Sequence, residues 1–410
     1  MRVKIKYNIQ RKGNQMKIII IGGGISGVFA AIESKRLGHQ VTVLEKKDRI
    51  LKKMLTTGNG RCNLTNLDVS YKNYNSKFVT EAINGFTNEN FIDYLKTIAI
   101  FTTCEGNRVY PQTLKAQTVV NQLLEELEEL GVEVITSSPV LKVEKENNKF
   151  TVYTNEEKFV ADRVVFATGG CSSPKLGSDG KSFEILKSLG HKVTNLYPAL
   201  TQVTSESKDL KSISGVKVYS KPRLYIDDEL VQEEEGEVLF TDYGLSGPPI
   251  LNLSKAVNIK SGNKYIKFSL VNYSDEKIKD ELYNMYYMLS HYSLKRWLTG
   301  IIDKKLVGYI CKNLNLHQDI PMSNIDEKVF EKMVEEILNH RIDISGTKGF
   351  DTSQVTLGGV ELSQVDEKTF ESKLVKGLYI IGEALDIDGI CGGYNIQWAV
   401  SSAMMMSRNL

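Results

Sequence analysis

The sequence predicts a wound α/β protein in which a domain with a parallel sheet is interrupted by a second, mainly β domain. Three observations carry this: a glycine-rich strand–turn–helix–strand unit near the start, short alternating segments in the middle, and the return of a buried strand and an apolar helix near the end. With 410 residues, two to three domains are the ordinary expectation. The pattern changes divide the chain into 16–192 and 346–410, two parts of one wound domain, and an insert over 193–345, β-rich over 193–271 and helical over 272–345. Residues 1–15 carry Arg2, Lys4, Lys6, Arg11 and Lys12, no acid and no apolar run of the signal-peptide kind, and are expected to be a disordered basic arm.

Lys17 to Glu45 (KIIIIGGGISGVFAAIESKRLGHQVTVLE) reads as strand, turn, helix and strand. Four consecutive isoleucines suit a strand covered on both faces, and Gly38 closes the helix. Gly22, Gly24 and Gly27 form G-x-G-x-x-G: the first for the tight turn, the second for close approach of a pyrophosphate, the third for helix–strand packing. Glu45, 18 residues beyond Gly27, is placed to accept hydrogen bonds from an adenosine ribose. The alternative is a glycine turn that serves packing alone. The motif does not separate NAD from FAD, which share the part it reads.

Lys53 to Asn66 (KMLTTGNGRCNLTN) is too rich in glycine, asparagine and threonine for a helix or strand interior and reads as an ordered loop or ligand clamp. Lys53 and Arg61 suit phosphates, and Gly58 and Gly60 suit close backbone approach. Helical patterns at 88–99 and 115–130 precede alternating runs at 132–135, 140–144, 150–154 and 159–160, read as a β-meander, and a buried strand at 163–167. Thr168-Gly169-Gly170 then turns at a strand end, where open α/β sheets bind ligands.

From Leu196 to Lys267 short segments and charged turns predict the β insert, and LFTDYGLSGPPI reads as a shaped turn at a domain junction, with a catalytic loop as the alternative. Helical spacing recurs at 277–289 and 327–339, and Tyr283, Met285, Tyr286, Tyr287 and Met288 are expected to pack rather than stack on a cofactor. The sheet pattern returns at 375–381, followed by Gly382-Glu383 and an apolar helix over 394–408 behind Gly392-Gly393. A ligand as long as FAD gives that return a reason. Its nucleotide end fits the opening turn, and amides of Gly393 to Ile396 at a helix start could stabilise charge on a reduced flavin.

Charge and cysteines exclude several classes. The 52 basic and 50 acidic residues leave 47 against 50 once the first 15 are set aside, which argues against nucleic acid or an anionic membrane as partner. Five dispersed cysteines without C-x-x-C disfavour a disulfide scaffold, a metal site and dithiol chemistry, and fit a reducing cytoplasm. No apolar run is long enough for a membrane span.

Together IIIIGGGISG, GNGRCNLTN, ATGGCSSPKLGSDG, LFTDYGLSGPPI, VTLGGVE and LYIIGEALDIDGICGGYNIQWAVSSAMM closely resemble the bacterial BaiN-like, or aminoacetone-oxidase-family, FAD-binding flavoproteins, with matches from Lys17 almost to Leu410. The resemblance implies a glutathione-reductase-type fold with a β-barrel-like insert and a small helical segment, and non-covalent FAD. It places Gly22, Gly24, Ser26, Gly27, Glu45 and Lys46 at the adenosine and pyrophosphate, and continues the clamp through Lys53, Gly60, Arg61, Cys62 and Asn63. Val140 becomes a backbone contact to adenine; Thr168 and Gly169 lie by the dinucleotide; Gly382, Glu383, Gly393, Tyr394, Asn395 and Ile396 surround the ribityl chain and flavin. Leu51 departs from relatives, which often carry glycine there. No general acid is singled out.

Three activities suit this reading: an NAD(P)H-driven reductase of an activated C=C bond in a small hydrophobic molecule, an oxidase of a small amine producing peroxide, and a flavoprotein with a binding or RNA-modifying role. The lack of a second G-x-G-x-x-G means that NADH or NADPH would bind transiently, without its own Rossmann turn. Fold alone does not choose among the three.

Overall fold

Ile18–Ile21 are each at most 5% exposed, because the strand they form, Lys17–Ile21, lies at the centre of a five-stranded parallel sheet. In the computed structural model, which describes residues 15–272 and 277–410, the sheet order is Leu378–Ile380, Arg163–Phe166, Lys17–Ile21, Gln40–Leu44, Glu133–Ile135. The expected basic arm lies, but for Gln15, outside the described residues. Two compact units are present: residues up to Tyr197 with Gln354–Leu410, and Pro198–Ser353.

In the first unit the opening helix, Ile25–Arg36, is buried from Ser26 to Ser34 and is apolar or small throughout that stretch except at Glu33, whose carboxylate pairs with Arg408 of the final helix (3.6 Å). One of its faces meets the final helix, Tyr394–Arg408, where Ser34 Oγ donates to Ser407 Oγ (3.2 Å) and Ser407 Oγ donates to Ala30 O (3.3 Å). The opening and final helices are thereby packed together. Phe29 packs edge-on against Phe91 (5.5 Å between centroids) from helix Asn88–Thr97.

Two expectations for this unit need correction. Val132–Ile135 is not part of the meander: Glu133–Ile135 is the edge strand of the parallel sheet, and the meander is Val140–Glu146, Lys149–Thr154 and Lys158–Ala161. The edge position leaves Glu133 exposed and Val134 and Ile135 half-buried, so its pattern imitates a meander strand. Lys53–Asn66 is more regular than a loop. It forms tight helical turns over Lys53–Gly60, broken where Thr57 is extended and Gly58 and Asn59 are left-handed, and Thr65–Asn66 then pairs with the strand Arg108–Pro111.

The second unit has two antiparallel sheets and its own core. One sheet orders Lys217–Ser220, Gly236–Thr241, Gly244–Ser246, Val203–Thr204 and Gly346–Thr347; the other orders Glu229–Glu233, Arg223–Ile226, Lys264–Phe268 and His340–Ile344. LFTDYGLSGPPI lies inside this unit as a hairpin followed by helix Pro248–Ile259, not at a junction. Its glycines explain the misreading: a Cβ on Gly244 would fall 2.1 Å from Val203 O and one on Gly247 2.1 Å from Glu237 O, so strand proximity demands glycine where composition suggested a loop. Tyr286 stacks on Phe330 at 4.1 Å and Tyr283 meets its edge at 5.1 Å, while Tyr287, 59% exposed, packs edge-on against Tyr286 at 5.1 Å and Met288 is 76% exposed.

Candidate functional site: a dinucleotide cradle

The opening turn divides its glycines between packing and ligand. A Cβ on Gly22 (φ +106°) would lie 2.5 Å from Ala167 O, and one on Gly27 2.0 Å from Gly22 O; these two let strands and helix close. Gly23, outside the motif positions, is equally constrained, 2.2 Å from Ile50 Cγ2. Gly24 differs, since its Cβ position has no heavy atom of the chain within 4 Å. Gly24 is also the N-cap of the opening helix, with ordinary φ (−75°), no capping side chain and no acid in the first turn. Amides with no capping side chain, beside a space that a methyl would fill, fit a pyrophosphate. Gly24→Ala is therefore expected to change thermal stability by no more than about 1 kcal/mol while clearly weakening FAD binding; equal FAD affinity in a titration of the apoprotein would show that no phosphate approaches there.

Glu45 follows the second strand and is oriented in advance. Its Oε2 accepts from Gly23 N (2.8 Å) and its Oε1 from Lys47 N (2.8 Å), leaving each oxygen a lone pair for a ribose hydroxyl. Val140 stands nearby in the chain's path, because Ser138 N donates to Glu45 O (2.9 Å) and Ser137 N to Lys47 O (2.7 Å) just before its strand begins. Leu51, buried with φ +59° and its N–H on Gly23 O (2.8 Å), occupies a left-handed position, where glycine is the residue ordinarily favoured, and nothing in the structure explains the leucine. Lys46 pairs with Asp179.

The far end is built from segments hundreds of residues apart. Gly382 (φ +64°) donates its N–H to Ser402 Oγ (3.1 Å) and accepts from Trp398 Nε1 (3.0 Å), and its Cβ position is 2.9 Å from Ser26 Oγ. Glu383 Oε2 takes Lys53 Nζ at 2.9 Å and Oε1 takes Thr356 N at 2.8 Å. GNGRCNLTN and GGYNIQWA are joined directly, Asn66 Nδ2 donating to Gly392 O (2.9 Å) and Thr65 Oγ1 to Gln397 Oε1 (2.6 Å), and Tyr74 OH, beyond the first motif, donates to Tyr394 O (2.9 Å). With its carboxamide oriented so that the oxygen faces Gly393 N, Asn63 Oδ1 accepts from Gly393 N (3.2 Å) and its Nδ2 donates to Thr65 O (3.0 Å). Asn395 closes the loop before it, accepting from Gly389 N (2.7 Å) and donating to Gly389 O (3.1 Å). Gly393 caps the final helix in the left-handed region without a side-chain cap, so Tyr394 to Ile396 open a second helix start at the opposite end of the chain.

Not every expected residue points its side chain into this joint. Arg61 ion-pairs with Glu105 and stacks on Tyr110 at 4.5 Å; Cys62 Sγ faces Met54 Sδ at 3.9 Å, and burial pushes its thiol up to about 12. Thr168 Oγ1 accepts from Ser182 Oγ (2.8 Å), and Gly169 and Gly60 are left-handed turn positions. Burial also raises Tyr394, with Asp68 adding to it. Residues the sequence reading missed include Thr356, Trp398, Ser402, Gln397 and Asp179. Gln397, Ser401 and Ser402, fully buried in an apolar helix, are the kind of polar interruption that could have signalled partners. Among the described residues no group of three or more His, Cys, Asp or Glu is arranged to hold a metal, and no helix is long and apolar enough to cross a membrane.

A family model described as the HI0933-like protein Rossmann domain matches residues 16–409. The chain is 33% identical over 401 residues to a 3-dehydro-bile acid delta(4,6)-reductase of Clostridium scindens, covering 96% of this chain and 98% of that protein. It is 31% identical over 411 residues to a ribosomal RNA dihydrouridine synthase of Escherichia coli K12, covering 96% and 97%. Among solved structures, a 3-ketosteroid-delta4-(5alpha)-dehydrogenase from Rhodococcus jostii RHA1 aligns over 98% of each chain at 14% identity with a TM-score of 0.48.

Proposed function

The chain belongs to the HI0933-like FAD-binding Rossmann family and is an FAD-dependent oxidoreductase, and from that premise we propose that it is an NAD(P)H-driven reductase of a carbonyl-conjugated C=C bond in a small hydrophobic molecule. FAD, when bound, supplies the hydride transfer. The chain's part is to hold it. Gly24 and the amides that follow it, with Glu45, receive the nucleotide end, and the start of the final helix, fixed by Asn63, Asn66 and Tyr74, presents amides and a positive dipole end where charge develops. The observation that supports the substrate class is full-length similarity to a relative named for delta(4,6) reduction of a 3-dehydro bile acid, bonds whose conjugation with a ketone lets charge pass to oxygen.

The test is a purified, flavin-loaded sample under nitrogen. NADH or NADPH is expected to bleach it, and a steroid-type enone to restore the colour while gaining two hydrogens. Failure of both nucleotides, with bleaching by a small amine and peroxide formation in air, would overturn the reading in favour of an amine oxidase.

A second reading, saturation of a uracil in RNA, is favoured by one surface besides the dihydrouridine synthase relative. Residues 290–300 carry His291, Lys295 and Arg296 and no acid, Arg296 lies 3.6 Å over the Tyr292 ring, and exposed Tyr287 and Met288 end the preceding helix, the Tyr287 hydroxyl donating to Glu327 Oε1 (3.1 Å). Cations beside exposed aromatics suit phosphates and unstacked bases. Dihydrouridine formed in a ribosomal RNA transcript, and lost with Lys295→Glu/Arg296→Glu while the enone is still reduced, would select this reading.

A further inference from the structure

The segment between Gly170 and Gly180 is closed at its base, where Gly180 N donates to Gly170 O at 3.1 Å. Its near limb is pinned by Thr356, whose Oγ1 accepts from Cys171 N (2.7 Å) and Ser172 N (3.1 Å). Left-handed Ser173 (φ +61°) and Gly177 (φ +117°) turn the chain back. The far limb then reaches the residues beyond the second strand: a Cβ on Gly177 would lie 3.4 Å from Lys47 Cγ and 3.8 Å from Glu45 Oε1. There Asp179 Oδ1 accepts from Lys46 Nζ at 2.5 Å and from Lys181 N at 3.2 Å. Burial opposes the Asp179 charge, yet Lys46 holds that carboxyl below its usual range.

Topology gives this contact its meaning. The loop is rooted beyond strand Arg163–Phe166 and touches residues beyond strand Gln40–Leu44, and the strand between those two in the sheet is Lys17–Ile21. A loop joining its two neighbours passes the end of the opening strand, where the Gly22–Gly24 turn sits. We propose that residues 171–179 form a strap across the nucleotide end of the FAD site, and that the Lys46–Asp179 ion pair is its latch and slows FAD release.

The strap rests on the FAD reading, and its failure is separable from that reading's failure. The experiment follows FAD leaving the holoprotein by the return of free-flavin fluorescence after dilution into a flavin scavenger. Because the latched side chains are 31% and 24% exposed, a pair of modest strength is expected. Asp179→Asn and Lys46→Met should each speed release about fivefold, the double variant no more than either alone, and added salt should accelerate the parent more than the variants. Variants that take up FAD and release it at the parent's rate, or effects that multiply in the double variant, would overturn the latch. A parent chain that never takes up FAD would overturn the cofactor reading instead.

Discussion

Glu45→Ala is expected to lower FAD affinity by about 10- to 150-fold, corresponding to roughly 1.5–3 kcal/mol for loss of charge-assisted hydrogen bonds. The carboxylate acts on both sides of the site. Toward the chain it accepts from Gly23 N and Lys47 N, both at 2.8 Å, and so fixes the glycine turn relative to the residues after the second strand. Toward the ligand it keeps acceptor capacity for a ribose. Alanine removes both, leaving the Gly23 amide without its partner in the turn proposed to receive the pyrophosphate. Glu45→Gln separates the roles: the amide can still accept from Gly23, but its NH2 cannot accept from Lys47. The expected order of affinity is parent, glutamine, alanine, measured by flavin fluorescence quenching on titrating apoprotein. Affinity for Glu45→Ala within twofold of the parent would remove the ribose role from this residue.

The parts of the site legible in the sequence are those with local causes. Four isoleucines, three spaced glycines and an acid fall within one βαβ unit, and the final helix starts at Tyr394 because Gly392 and Gly393 precede an apolar run. What was not legible depends on partners far along the chain. Thr356 organises two loops through bonds to Cys171, Ser172 and Glu383, at separations of 185, 184 and 27 residues, and no periodicity announces them. Asp179 sits in a glycine- and serine-rich turn where an acid is ordinary; only its distance to Lys46 distinguishes it. Glu133–Ile135 was misassigned for a related reason: three residues at a sheet edge show the same alternation whichever sheet they join. The hairpin at Gly244 was hidden because glycine serves both loops and strands whose backbones nearly touch.

Gly393→Ala should be the most damaging small substitution in the flavin-side joint. Two costs combine there. The backbone is at φ +97°, where a β-carbon costs about 1–3 kcal/mol, and that carbon would stand 2.5 Å from Thr65 O and 2.7 Å from its carbonyl carbon. Thr65 cannot yield freely, since its strand pairs with Val109 and its hydroxyl is bonded to Gln397 of the final helix. Relief must therefore move the helix start itself, at a further cost of about 1–3 kcal/mol, and in doing so breaks the bond from Gly393 N to Asn63. Gly131→Ala is the proper control: Gly131 is also left-handed, at φ +62°, yet its Cβ position meets nothing within 4 Å, so it incurs the conformational cost without the collision. Thermal unfolding should show the larger loss for Gly393→Ala, and flavin content per chain should fall in that variant alone. If both variants retain FAD equally, the start of the final helix does not hold the flavin end, and the two ends of the chain meet for packing rather than for the cofactor.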